Sequence, residues 1–207
     1  SYEMGDTQLL QRLVSLESEV NNRYIMKGAL ESTELNRVDK AIGKLEGVNL
    51  FIDECKDSSL RYLLNKIRQY VITKEVKFVL VDYLQLVKGS GTSREQEVAM
   101  VARELKNLAK ELNITIVALS QLSRGVERRD GCRPSLSDLR ESGEIEQASD
   151  IVMLVYRPEY YGIMTDDSGK STEGLVDLIF AKGRNIGTGT LPLRFKKEYT
   201  KFIDPQD

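Results

Sequence analysis

The chain has 207 residues, of which 41% are hydrophobic and 30% charged, an ordinary composition for one globular domain. Its formal net charge of −2 excludes a strongly basic nucleic-acid-binding protein, so any such surface must be a local basic patch. It has no histidine, which excludes histidine-based acid–base or zinc chemistry and leaves catalysis to carboxylates, Lys, Arg and hydroxyl groups.

Apolar residues at helical spacing predict three helices in the first part of the chain, over residues 9–16, 35–45 and 60–71. Asp6 is the expected N-cap of the first helix, and Ser58 or Ser59 is the expected cap of the third. A short strand, NLFID, is expected after the second helix.

Two apolar runs then predict buried parallel strands: one that ends at Asp82, within KFVLVDYLQLV at residues 77–87, and TIVALS at residues 115–120. A GSGTS turn and a long helix over residues 98–112 join them. After a polar stretch at residues 121–150, IVMLVY, GLVDLIFAK and TLPLRF predict three closing strands, ended by KFID. We therefore expect one α/β domain over residues 1–207, with a mainly parallel sheet flanked by helices and antiparallel strands at its C-terminal edge.

Two further features bear on the compartment. Cys55 and Cys132 lie far apart without metal-ligand spacing, which is typical of a reduced cytosolic protein. No apolar run reaches the roughly 18 residues that a membrane span needs, and residues 1–20 do not form a signal peptide. We expect a cytoplasmic protein with no membrane partner.

Polar side chains follow both parallel strands, at the edge where open α/β sheets bind ligands. Asp82 ends the run FVLV, and Gln121 follows TIVALS. A strand ending in Asp is how a Walker B element holds the water shell of Mg²⁺ beside nucleotide phosphates. The alternative is an Asp that caps a turn, and residues 77–87 alone leave both interpretations open.

A Walker B site needs a phosphate loop, and DSGKST at residues 167–172 is similar to one. The motif requires a glycine five positions before the Gly of the GK pair, where this chain has Met164. The stretch also leads into a strand, whereas a phosphate loop opens a helix. We predict a solvated hairpin loop here, and expect no phosphate cradle in this chain unless it precedes Ser1.

The first residues, SYEM, lead directly into a helix, as though the chain began at the end of a strand. Glu3 would then lie beside Asp82. Paired acids, of which one binds metal and the other polarises water, suit nucleotide hydrolysis. Without Asp82 beside it, Glu3 would be a solvated terminal glutamate.

Several stretches together resemble one family. SYEM before a helix, VLVDYLQL, ALSQLSR, RPSLSDLRESGEIEQASD, YRPEYY and KGRNIGTG occur in the order found in the RecA-like C-terminal motor domain of DnaB-type replicative helicases, and they cover essentially residues 1–204. That domain normally begins with a strand, the P-loop and a helix, which this sequence lacks. The resemblance thus implies an N-terminally truncated helicase ATPase domain that uses ATP and Mg²⁺.

The resemblance also implies roles for residues at the nucleotide. Glu3 matches the catalytic base that orients the attacking water, Asp82 the Mg²⁺ carboxylate, and Gln121 the γ-phosphate sensor between the ATP site and DNA. Arg12 matches a position near the nucleotide; the alternative is a surface arginine of a helix.

Lys182 and Arg184, in KGR, match the pair that reaches the ATP site of the neighbouring subunit. A guanidinium suits that position because charge develops on the phosphoryl oxygens in the transition state. Gly183 stands between them, where the family often has a glutamine. The alternative is an ordinary hairpin turn with exposed charges.

The stretch over residues 121–150 is typical of a central-channel loop in this family. Residues 123–140 contain five arginines and three acidic residues, so the charge alone is a weak signal and fits a solvated loop equally well. The match of LRESG implies that Arg140, Glu141 and Gly143 contact the backbone of single-stranded DNA. No aromatic residue is interleaved, so sequence-independent tracking of the backbone is expected rather than base stacking.

We therefore predict a motor domain that couples ATP hydrolysis to translocation on single-stranded DNA and unwinds duplex as a ring, expected to be a homohexamer. Primase and a helicase loader are its possible further partners. One alternative is another RecA-fold ATPase, such as a recombinase or clock-type ring. The other is a non-catalytic ring-interface or DNA-binding fragment.

Overall fold

The computed structural model describes residues 1–205, apart from the side chains of residues 140–142. The α-helices of this part are α1 (Asp6–Ser18), α2 (Asn22–Lys27), α3 (Ser32–Glu46), α4 (Leu60–Lys74), α5 (Arg94–Leu112) and α6 (Gly143–Ala148). The strands are β1 (Phe78–Val81), β2 (Thr115–Ala118), β3 (Ile151–Tyr156), β4 (Leu175–Gly183), β5 (Gly189–Lys196) and β6 (Lys201–Ile203). Short 3-10 turns fill much of the stretch between β2 and α6.

Two sheets are present in the described residues. β1 and β2 pair in parallel, from Phe78 opposite Thr115 to Val81 opposite Ala118. β3, β4, β5 and β6 form an antiparallel sheet in sequence order. The predicted α/β class, with a parallel sheet flanked by helices and antiparallel strands at the C-terminal edge, is confirmed.

The main core lies between the parallel sheet and helices α4 and α5. Leu63 and Ile67 on α4, Val81 on β1, and Leu105 and Leu108 on α5 are all at most 5% exposed. Their spacing of three or four residues places one apolar face of each helix against the strands. Each such side chain contributes roughly 1.5–3 kcal/mol by leaving water, so this packing fixes where β1 and β2 end.

The helix ends agree only partly with the sequence. Ser59 caps α4 as predicted, because its hydroxyl accepts the Tyr62 N–H at 3.3 Å. Asp6, however, is the first residue of α1 rather than its cap, which is Gly5. The Asp6 carboxylate accepts the Thr7 N–H at 2.6 Å, an acidic residue in a first turn where the helix dipole favours it.

The predicted strand NLFID is not a strand in the structure. Only its end pairs with another segment, because the Ser1 ammonium donates to the Asp53 carbonyl at 2.8 Å and the Cys55 N–H donates to the Ser1 carbonyl at 3.0 Å. Two such bonds hold the chain extended without forming a ladder. Helix α2 was not predicted, and it is a short element whose side chains are all at least partly exposed.

One face of the strands is apolar and uncovered. Along β3, Val152, Leu154 and Tyr156 are buried while the alternate residues are exposed. The large exposed side chains on β1 and β3 are Phe78, Leu80, Ile151, Met153 and Val155. Apolar residues on both faces are typical of strands covered on both sides, yet only one face is covered within residues 1–205. No helix in that range is long and apolar enough to cross a bilayer.

Candidate functional site

The first residues of the chain lie against the carboxyl end of β1. The Tyr2 N–H donates to the Asp82 carbonyl at 2.8 Å, and the Ser1 hydroxyl lies 3.5 Å from the Asp82 carboxylate. The same hydroxyl accepts the Met4 N–H at 3.1 Å, which turns the chain into α1. Glu3 therefore lies beside Asp82, as predicted, and it is exposed whereas Asp82 is half-buried.

Gln121 lies at the matching end of β2. The strands end in register, and two backbone bonds continue the pairing beyond them, from Leu119 N–H to the Val81 carbonyl and from Leu84 N–H to the Leu119 carbonyl, both at 2.9 Å. Gln121 itself is exposed. The structure thus brings Glu3, Asp82 and Gln121 to one edge of the parallel sheet.

Gln85, which is not among the residues predicted at the site, holds this edge together. Its amide oxygen accepts the Gln121 N–H at 3.2 Å, while its amide nitrogen donates to the Ser120 hydroxyl at 2.9 Å and to the Gln121 carbonyl at 3.3 Å. One side chain therefore fixes the backbone at Gln121 from both sides. The signal was a single amide within the apolar run LQLV, three residues after Asp82.

The donor set at this edge fits Mg²⁺ that is held mainly by water and phosphate. No group of three or more Cys, Asp or Glu side chains suited to a metal occurs in the described part of the chain. Among the described residues, the side chain that contacts the Asp82 carboxylate is Ser1, whose hydroxyl lies 3.5 Å away. A single carboxylate beside nucleotide phosphates is the usual protein contribution to a Mg²⁺ site.

The other nucleotide residue, Arg12, is exposed on α1. No hydrogen bond or ion pair of its side chain is recorded among residues 1–205, and no such contact joins it to Asp82 or Gln121. Its role at the nucleotide stays a prediction.

KGR lies at the end of β4, where the hairpin to β5 begins. The half-buried Lys182 donates its ammonium to the Glu146 carbonyl in α6. Arg184 is exposed, its N–H donates to the Asp150 carbonyl at 2.8 Å, and its guanidinium donates to the Asp150 carboxylate at 3.1 Å. These contacts all lie at α6 and just beyond it; within residues 1–205 no recorded contact joins the hairpin to Glu3, Asp82 or Gln121.

Gly183 is required by the tightness of this hairpin. A Cβ atom there would lie 2.4 Å from Ile186 Cγ1 and 2.6 Å from the Ile186 carbonyl oxygen. A glutamine, which the family often has at this position, would need a different path from residue 183 to residue 186. The departure from the family pattern thus has a local steric reason in this chain.

The arginine-bearing stretch, residues 123–140, is anchored by one buried carboxylate. Asp138 is 5% exposed, and it accepts hydrogen bonds from the Arg129 guanidinium and from the Ser135 N–H at 2.7 Å. Burial raises the pKa of Asp138, but the hydrogen bonds from Arg129 and Ser135 outweigh it, so the net shift is downward. Arg133 pairs with Asp177 on β4. Two of the arginines are therefore bound within the chain, while Arg124 and Arg128 are exposed.

Of the three residues expected at DNA, the side chains of Arg140 and Glu141 lie outside the described residues. Gly143 is described; it begins α6 and is exposed. Among the described residues, no atom apart from those of its chain neighbours and its own helix backbone lies within 4 Å of the position that a Cβ would take on Gly143, so they leave that side of the glycine unobstructed.

DSGKST is a hairpin loop, as predicted. Thr165 and Ser171 form an antiparallel bridge, and the Asp166 carboxylate accepts the N–H groups of Ser168 and Lys170, both at 2.9 Å. These bonds lower the pKa of Asp166, chiefly through the Ser168 hydroxyl. The backbone donors of the loop are thus turned onto its own aspartate rather than towards a phosphate.

Comparison with known proteins agrees with this arrangement. The family described as the DnaB-like helicase C terminal domain matches residues 1–204. The chain belongs to that family.

Relatives and solved structures agree with the DnaB-like assignment. The replicative DNA helicase DnaC of Bacillus subtilis is 40% identical over an alignment that covers 99% of this chain and 44% of that protein. DnaB of Geobacillus stearothermophilus is 38% identical with the same coverage, so the chain spans less than half the length of these relatives. A DnaB-like replicative helicase, in a structure whose subject includes its interactions with primase, aligns with a TM-score of 0.87 and 35% identity, over 98% of this chain and 48% of that one. A separately solved ATPase domain gives the same TM-score and identity over 72% of its length.

Membership in the DnaB-like family decides against one alternative. A recombinase or clock-type ring would share the strand-end carboxylates, but it would not be expected to match this family over residues 1–204. The likeness of these proteins extends over the whole chain, including the stretch 121–150 and the KGR hairpin.

Proposed function

We propose that this chain is the motor domain of an ATP-dependent replicative DNA helicase. The observation that carries the proposal is the meeting of Glu3, Asp82 and Gln121 at one sheet edge, in a chain of the DnaB-like family. These are a base, a metal carboxylate and an amide, which are the parts that phosphoryl transfer requires beside a phosphate cradle. The remaining candidate, a fragment with no catalysis, does not explain why all three converge.

In this proposal each side chain has a distinct task. Glu3, exposed beside Asp82, orients the attacking water and accepts its proton. Asp82 would hold Mg²⁺, which when bound would supply positive charge beside the phosphates. Gln121 senses the γ-phosphate, and Gln85 fixes the backbone from which its amide extends. Arg12 is proposed to lie near the nucleotide.

We propose that the phosphate cradle lies before Ser1 in the full-length protein. The relatives are more than twice as long as this chain, which spans 44% of them. Among the described residues β2 pairs only with β1 and β3 only with β4, and their apolar face is uncovered. One further strand between β2 and β3 would join the two sheets, and a helix after it would cover that face.

The proposed assembly is a hexameric ring in which Arg184 completes the site of the next subunit. Its place on a hairpin, with no recorded contact to its own Glu3 edge among residues 1–205, favours action across an interface. A head-to-tail contact delivers one surface of each subunit to a different surface of its neighbour. Lys182 would approach the same nucleotide from the same hairpin.

Single-stranded DNA is the proposed substrate of the ring, contacted by Arg140, Glu141 and Gly143. The open backbone at Gly143 supports close approach of a phosphate. Primase is a proposed partner, since a solved relative concerns its interactions with primase, and a helicase loader is another. The cytoplasm is the proposed compartment, where free thiols such as Cys55 and Cys132 persist.

The proposal is tested by mixing two inactive forms of the full-length protein. Arg184→Ala should lower ATPase turnover on the order of 10³-fold, because a guanidinium that stabilises transition-state charge is lost. Glu3→Gln should abolish hydrolysis but leave nucleotide binding nearly intact, because the amide keeps the size of the side chain and loses the base. Each mutant damages a different half of a shared site, so mixed rings should recover part of the activity.

Two outcomes would contradict this function. If mixed rings form, as shown by native mass spectrometry, and no activity returns, Arg184 does not act in trans. If Glu3→Gln lowers ATP affinity while turnover per bound ATP holds, Glu3 is structural. Magnesium-dependent turnover by residues 1–207 alone would refute the proposal that the cradle precedes Ser1.

A further inference from the structure

Two basic side chains from distant parts of the fold pair with Asp150. Lys106, in the middle of α5, pairs with one carboxylate oxygen of Asp150, and Arg184 pairs with the other at 3.1 Å. Asp150 lies between α6 and β3, so it joins α5, the start of β3 and the KGR hairpin. None of these contacts was expected from the sequence.

The two basic side chains are not equivalent partners of Asp150. The Lys106 side chain is 20% exposed, whereas those of Asp150 and Arg184 are each 51% exposed. The hydrogen bond from Lys106 is the largest cause of the lowered pKa of Asp150, which burial opposes and the charge of Arg184 supports. Lys106 therefore fixes the carboxylate in place, while Arg184 is held from the solvent side.

The bond from Asp150 to Arg184 leaves most of the guanidinium free. A guanidinium has five N–H donors, and one of them is recorded on Asp150. The main chain is fixed separately, because the Arg184 N–H donates to the Asp150 carbonyl at 2.8 Å. Asp150 thus holds both the main chain and the guanidinium of Arg184, and four of the five guanidinium donors are left for another acceptor.

We propose that Asp150 is a positioning residue for Arg184, and that Lys106 holds Asp150 for this task. The inference rests on the proposed action of Arg184 on the neighbouring nucleotide. Without Asp150 the guanidinium would have to be ordered by the phosphate itself, and the side-chain freedom lost at that point would raise the barrier to reaction. Asp150 touches neither the nucleotide nor the attacking water in this scheme, so its effect on the reaction passes entirely through Arg184.

The test compares ATPase kinetics of the full-length ring with Asp150→Ala in two backgrounds. In the otherwise unchanged protein, kcat should fall about 10- to 100-fold because orientation is lost, while KM for ATP changes less than about two-fold. In the Arg184→Ala background, Asp150→Ala should cause no further loss. A merely structural role would lower activity by the same factor in both backgrounds.

If Asp150→Ala folds poorly, two further variants test the same inference. Asp150→Asn keeps an acceptor oxygen and should retain more activity than the alanine variant. Lys106→Met removes the charge that holds Asp150 and should lower kcat only where Arg184 is present. The matched control is Glu111→Ala, which breaks another ion pair of α5, with Arg68, and should leave kcat unchanged. The acidic partners of the two pairs are similarly exposed, at 53% and 51%.

The outcomes separate this inference from the proposed function. If Arg184→Ala inactivates the ring and Asp150→Ala does not, positioning by Asp150 is wrong and the role of Arg184 stands. If Asp150→Ala is as damaging in the Arg184→Ala background as without it, Asp150 supports the fold instead. If Arg184→Ala leaves turnover unchanged, the proposed role of Arg184 fails and the positioning inference fails with it.

Discussion

Asp138 is the residue on which the arginine-bearing stretch depends for its shape, and its removal gives the most informative stability experiment. The carboxylate accepts two bonds from Arg129 and two from Ser135, one of them from the Ser135 hydroxyl at 3.1 Å. In addition, its main-chain carbonyl accepts the Ser123 N–H at 2.9 Å. The carbonyl and the carboxylate of Asp138 together thus close residues 123 to 138 into a loop.

The expected cost of Asp138→Ala is about 3 kcal/mol of unfolding free energy. Removing one partner of a buried pair typically costs about 3–5 kcal/mol, because the other charge is left without compensation. Here the Arg129 side chain is 41% exposed, so water can hydrate it again and the lower end applies. For a domain of this size the melting temperature should fall by about 6–12 °C.

Hydrogen exchange of the full-length protein measures this locally. About 3 kcal/mol corresponds to a roughly 100-fold loss of protection, and the loss should centre on the Ser135 amide, whose acceptor is removed, and on the neighbouring 3-10 turns. Asp130→Ala, an exposed acid in the same stretch, is the control and should change stability by less than about 0.5 kcal/mol. Equal protection in both variants would refute the anchoring role of Asp138.

The same pair gives a pH dependence of known sign. The pKa of Asp138 is lowered in the folded state, so its contribution is fully present above the unfolded value of about 3.9 and is lost as pH falls through the folded value. The stability difference between wild type and Asp138→Ala should therefore be constant near neutral pH and shrink only below about pH 4. A difference that already shrinks between pH 7 and 5 would point to another group.

Three further results are expected. Gln85→Ala should lower kcat for ATP hydrolysis with little change in folding, since it frees the backbone at Gln121. Unchanged steady-state kinetics would show that the hydrogen bonds of Gln85 do not position Gln121. Gly183→Ala should destabilise the KGR hairpin by about 1–3 kcal/mol because its Cβ meets Ile186, and a melting temperature equal to wild type would show that the turn adapts. Asp82→Ala should remove the Mg²⁺ dependence of nucleotide binding, measured by calorimetry with and without the metal, and a retained dependence would exclude Asp82 as the metal carboxylate.

Sequence reasoning located the strands and the edge of the site because both depend on local patterns. Apolar runs without a polar face indicated β1 and β2, and a polar residue at the end of each run indicated the edge. NLFID is not a strand because its backbone pairs with Ser1 only at Asp53, while Phe51 packs against Tyr70 of α4, and propensity cannot reveal either contact. The cap at Asp6 was misplaced by one residue, since an acidic residue favours both the cap and the first turn.

The contacts that position the candidate residues were beyond the sequence because they join distant parts of the chain. Gln85 reaches residue 121, Lys106 reaches Asp150, and Arg129 folds back onto Asp138. In each case the sequence shows only a polar residue of a common type. Which partner it finds is decided by the packing of helices onto strands, and charge counts along residues 123–140 could not distinguish anchored arginines from free ones.

The two separate sheets have a practical consequence for anyone handling residues 1–207 alone. Within the described residues β2 and β3 each have a neighbour on one side only, so each presents a row of backbone donors and acceptors. Beside them lie exposed Phe78 and Met153. Such edges are templates for strand addition from a second molecule, and apolar surface next to them strengthens the association. We expect residues 1–207 alone to aggregate at lower concentrations than a protein in which these edges are paired and this surface is covered.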